Sequence, residues 1–147
     1  MKKTKASQAK TKSASTPTQA TMEITLTVAH VVFGGNAGHG KYFYSFSPDV
    51  VTLHKGQSPI TIIYSLDKEV GENFQIVDVL TSDAKNQIGP VKLRKKGRSA
   101  ELVNLNNTKT LIFFSVLIRD EKRGELFSCD PQVGNDPDIS PTLITGR

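Results

Sequence analysis

From residue 22 onward, apolar side chains recur at every second position, interrupted at short intervals by Gly, Pro, Asn, Asp and Ser. A period of two places successive side chains on opposite faces of an extended strand, whereas an amphipathic helix needs a repeat near 3.6. No window of twelve residues shows helical spacing. The folded part is therefore confined to all-β architectures.

The alternation divides the chain into short strands. Ile24, Leu26 and Val28 share one face of the first. The apolar parity then switches to Ala29, Val31 and Phe33, which predicts a bulge or a strand that changes sheets. A glycine-rich loop spans Gly34 to Gly40. Tyr42, Tyr44 and Phe46 alternate next, followed by Val51 and Leu53, then by Ile60, Ile62, Tyr64 and Leu66. Phe74, Ile76, Val77, Val79 and Leu80 mark a fifth strand. Val91 and Leu93, between Gly89-Pro90 and Arg94-Lys95-Lys96-Gly97, read as a short edge strand. Ala100 to Leu105 is another. Leu111 to Ile118 is nearly all apolar, which predicts a central strand covered on both faces. A charged turn, Arg119 to Gly124, precedes a last strand from Glu125 to Cys129, and Asp130 to Arg147 reads as mostly irregular. Eight or nine short strands at this spacing predict an antiparallel β-sandwich, immunoglobulin-like or cupredoxin-like. The Cys…Trp…Cys core of antibody domains is absent, since the chain has no Trp.

The 147 residues suit a single domain, and the formal charge of +5 is unevenly placed. Residues 1–20 carry five lysines and no acid, while the remainder balances 14 basic against 14 acidic side chains. Lacking large apolar residues beyond Met1, residues 1–21 are expected to form a disordered basic tail, with 22–147 a single sandwich domain. Met22 is an alternative start. No apolar run follows the lysines as a signal peptide requires, and no stretch is long enough for a membrane helix. Cys129 is the only cysteine, so no intrachain disulfide forms and the cytoplasm is the expected compartment.

Several chemical patterns fail at identifiable residues. Gly35 to Lys41 fits G-x-x-x-x-G-K, but Tyr42 stands where Ser or Thr would bind magnesium, and an alternating strand follows instead of a helix. A blue-copper site needs His and usually Met after its Cys, and neither occurs after Cys129. His30, His39 and His54 are scattered, and Cys129 has no activating base nearby in sequence. The run Arg94-Lys95-Lys96-Gly97-Arg98 lacks flanking aromatics for base stacking and suits edge protection.

The stretch Cys129-Asp130-Pro131-Gln132-Val133-Gly134-Asn135-Asp136-Pro137 resembles the small bacterial proteins grouped as the DP-EP family, and the resemblance runs over most of residues 22–138. It carries two Asp-Pro pairs, and no Glu-Pro occurs in the chain. The resemblance implies a compact β domain and no particular activity. The leading functional reading is a non-catalytic binding or assembly module acting through an edge strand or the C-terminal loop. The alternative is a small enzyme or ligand-binding protein whose site assembles only in three dimensions. The candidate binding residues are Asp130, Asn135, Asp136 and Asp138, oxygen-bearing side chains on a path stiffened by Pro131 and Pro137. No cofactor or membrane is expected. The expected partner is another protein or a second copy in a homodimer, with nucleic acid limited to weak contact through the tail.

Overall fold

A computed structural model of the chain describes residues 20–138. The expected tail before residue 20 and the end of the expected irregular segment, after residue 138, lie outside the described residues. Ten strands are present among those described: β1 (Ala20–His30), β2 (Tyr42–Ser47), β3 (Val50–Leu53), β4 (Ile60–Leu66), β5 (Phe74–Thr81), β6 (Lys92–Arg94), β7 (Ser99–Asn104), β8 (Thr110–Asp120), β9 (Glu125–Cys129) and β10 (Gln132–Asn135). They form two five-stranded sheets, one ordered β2-β1-β4-β7-β6 and the other β3-β10-β8-β5 with β9 also paired to β8. No helix among the described residues is long and apolar enough to cross a membrane.

The all-β sandwich follows from the alternation. Along β4, Ile60, Ile62, Tyr64 and Leu66 are buried while Thr61, Ile63 and Ser65 face outward. Ile112, Phe114, Val116 and Ile118 of β8 meet them from the other sheet, giving one continuous apolar core.

Several expectations need correction. The sandwich is not purely antiparallel, because β1 runs parallel to β4 and β10 runs parallel to β3. There are ten strands instead of eight or nine, and the first begins at Ala20. The parity switch after Val28 is neither a bulge nor a sheet change. β1 ends at His30, and Val32 and Phe33 stand out in solvent at the hairpin. The bulge instead lies in β5 between Ile76 and Asp78, which absorbs the consecutive apolar pair Ile76-Val77. The segment after Asp130 is also not irregular throughout: Gln132–Asn135 is inserted between β3 and β8.

A buried polar tie holds the two sheets together at each pole of the sandwich. At the His30 pole, the Tyr42 hydroxyl donates to Asp120 Oδ2 at 2.8 Å, joining β2 to β8. At the Ala20 pole, the amides of Asn104 and Asn135 exchange two hydrogen bonds of 2.8 Å, joining β7 to β10. Buried polar groups left unpaired cost about 1–3 kcal/mol each, so both ties define the sheet-to-sheet register as well as stabilise it.

Candidate functional site

Strand β8 was expected to be covered on both faces, and it is covered on one. Phe114 is 1 % exposed, whereas its neighbours Leu111 and Phe113, on the opposite face of the same strand, are 51 % and 50 % exposed. The register extends this surface sideways. Phe113 stands opposite Gln132, which stands opposite Val50, and Leu111 stands opposite Gly134, which stands opposite Thr52. On the other side, Leu80 of β5 pairs with Ser115 of β8, next but one to Phe113. Val50, Leu80, Leu111 and Phe113 thus share the outer face of the second sheet, with Leu126 of β9 further along it.

Two depressions flank Phe113 and Leu111 on this face. One, of about 330 Å³, is lined by Leu80, Phe113, Ser115 and Asp130. The other, of about 340 Å³, lies over Gly134, whose missing side chain opens a valley between Leu111 and Thr52. Its rim carries the ion pair between Lys109 and Asp136 at 3.8 Å. These shallow, mainly apolar hollows suit side chains from a facing surface better than they suit an enclosed small molecule.

Insertion of β10 disperses the residues expected to form one loop. Asp130 is exposed at the β9–β10 corner, where its Oδ1 accepts from the Ser115 hydroxyl at 3.0 Å. Asn135 points inward into the Asn104 tie. Asp136 lies at the far end, with its N–H donating to Leu53 O at 2.9 Å, and Asp138 is exposed beyond it. At roughly 3.3 Å per strand residue, about 16 Å separates Asp130 from Asn135, too far for one cation to bridge. No group of three His, Cys, Asp or Glu side chains among the described residues could hold a metal ion.

The glycine loop and Cys129 have structural roles. The glycine loop folds back on the free edge of β2: Ala37 bridges Tyr42, and the Asn36 amide bonds both the N–H and the C=O of Tyr44, at 2.8 and 2.9 Å. This blocks an edge that would otherwise offer unpaired backbone groups. Gly38 has φ +56°, and a Cβ there would sit 2.6 Å from the Tyr42 ring. Cys129 is fully buried, and burial, with Asp130 nearby, pushes its thiol well above the usual range, which disfavours the reactive thiolate.

Sequence reading did not anticipate the Asp120 cluster. Besides Tyr42, Asp120 accepts from Asn73 Nδ2 at 2.7 Å and from the Arg123 guanidinium at 3.0 Å. Burial alone would raise its pKa, but these hydrogen bonds and the positive charge of Arg123 outweigh it, leaving the carboxyl below the usual value. Burial and the Asp120 acceptor push Tyr42 up to about 12. The ring of Tyr42 stacks on Phe127 at 4.0 Å. Such an enclosed, saturated carboxylate organises a pole of the sandwich. The available signal was an acid ending an apolar strand with Arg three residues later.

Set against known proteins, the chain matches no family model, and no curated protein matches it significantly.

Proposed function

We propose that this protein is a non-catalytic assembly module that pairs with a second copy of itself through the outer face of its second sheet. One observation carries the reading: Val50, Leu80, Leu111 and Phe113, each half-exposed or more, lie together on that face. Monomeric proteins seldom leave contiguous apolar surface of this kind without a use for it. A flat sheet face is suited to another sheet face, packed as the two sheets pack inside the molecule. The balance of 14 acidic and 14 basic side chains beyond residue 20 means that two such bodies meet with little long-range repulsion. Covering these side chains favours the contact by roughly 1 kcal/mol each on both copies, before the costs of association are subtracted.

Membership of the DP-EP family, suggested by Cys129 to Pro137, belongs to the same proposal and adds no activity to it. A cytoplasmic setting also suits it, since Cys129 has no partner cysteine. Sedimentation of the full chain across the micromolar range tests the reading. The chain should be dimeric, and Leu111→Lys with Phe113→Lys should make it monomeric without lowering its melting temperature. A wild-type chain that stays monomeric at high micromolar concentration overturns the proposal.

A further inference from the structure

On the opposite flank from the glycine loop, the turn that follows β6 carries Lys95 and Lys96 in left-handed backbone, with φ +51° and +54°. Asn or Gly would hold that conformation with less strain, and non-glycine residues kept there against strain repeatedly mark functional positions. Edge protection does not account for these two residues. It is served by Lys92 and Arg94, exposed on β6 itself, while Lys95 and Lys96 lie beyond the strand.

The turn is seated on β5 at Gly97, where an added Cβ would lie 3.0 Å from Ile76 O and 3.1 Å from Gln75 Cβ. Opposite, Arg98 donates four hydrogen bonds to the carbonyls of Asp67, Val70, Gly71 and Phe74, fixing the β4–β5 loop that carries Lys68. Between turn and loop lies a depression of about 520 Å³ lined by Lys68, Glu72, Gln75, Lys95, Lys96 and Arg98. Four cations thus surround one carboxylate, and none of the four forms an ion pair among the described residues. Four cations facing a single carboxylate leave a surplus of positive charge that favours an anion.

We propose that this depression binds a compact, multiply charged oxyanion of the diphosphate class. Lys68, Lys95 and Lys96 neutralise it, Gln75 offers an amide donor, and Arg98 holds the loop and adds its charge. This site is separate from the apolar face, and either can exist without the other. Calorimetric titration of the full chain with pyrophosphate, inorganic phosphate and chloride at constant ionic strength provides the test, using Lys95→Asn with Lys96→Asn as the variant because Asn keeps the left-handed turn. Saturable pyrophosphate binding is expected, weaker for phosphate and undetectable for chloride, with amide-resonance changes at residues 68–75 and 95–98. The double variant should bind roughly tenfold or more weakly at a melting temperature no lower than that of the wild-type chain. Absence of saturable binding at millimolar pyrophosphate overturns the proposal, as does equal affinity in the variant, which would assign binding to the lysines before residue 20.

Discussion

On the outside of the first sheet, Thr21, Glu23, Thr25 and Thr27 of β1 point away from the core beside Ser45 of β2 and Thr61 of β4, with exposed Phe43 and half-buried Ile63 as apolar exceptions. On the outside of the second, the corresponding outward positions hold Val50, Leu80, Leu111, Phe113 and Leu126. Both faces cover the same core with strands of the same kind. Threonine satisfies strand preference as well as leucine does, so local β propensity explains the first face and leaves the second unexplained. The difference teaches that strand propensity alone does not account for the apolar choice on the second sheet, which is the face the proposed pairing uses.

The comparison breaks first if the second face proves to be core. Phe114→Ala should lower stability by about 3–5 kcal/mol, whereas Phe113→Ala, one residue away on the outer face, should cost the monomer less than about 1 kcal/mol. Urea unfolding at low protein concentration separates them, and equal losses would put the outer face inside the molecule.

Next in size is the tie the two faces share. Asp120→Asn should cost about 1–3 kcal/mol, with hydrogen exchange quickening on both sheets together. The same group sets an acid limit. Its folded pKa lies below the unfolded value, so its contribution is present above about pH 4 and is lost as pH falls through the folded value. Tyr42 gives the opposite sign, with its contribution intact below about pH 10 and lost as pH rises towards 12. Melting temperature against pH should show a plateau between these limits, and Tyr42→Phe should soften the alkaline fall. A smaller effect sharpens the faces themselves: an apolar fluorescent probe should bind the wild-type chain and lose most of its signal in Leu111→Lys with Phe113→Lys, while Thr25→Lys with Thr61→Lys leaves it unchanged. Smallest of all, Ser115→Ala removes one exposed bond to Asp130 and should shift stability by no more than about 0.5 kcal/mol.

β4 was legible because its apolar residues fall on one parity, β8 because its run is nearly all apolar, and the edge position of β6 from Gly89-Pro90 and the basic turn. The exposed half of β8 was not, since an unbroken apolar run looks the same whether its second face meets protein or water. β10 was hidden because Val133 is its one large apolar residue. Its other inward side chain, Asn135, finds its partners in Asn104 and Gln87, 31 and 48 residues away, and no local pattern encodes such a pairing. The parallel pairings are likewise long-range facts. For the same reason, Asp130 was read into one loop with Asp136 and Asp138, from which β10 separates it.

Ala20 is in register with Ile60, Ile60 with Asn104, and Asn104 is bonded to Asn135, so the first and last described strands have their outer ends at one pole. A load applied between those two ends would pull across the strands instead of along them. Hydrogen bonds would then open one after another, as in a zip, instead of sharing the force. A body suspended in this way yields at low tension, and it can be spliced into another chain, or have its order of strands rotated, with little disturbance to its interior. The far pole carries Val32 and Phe33 in solvent.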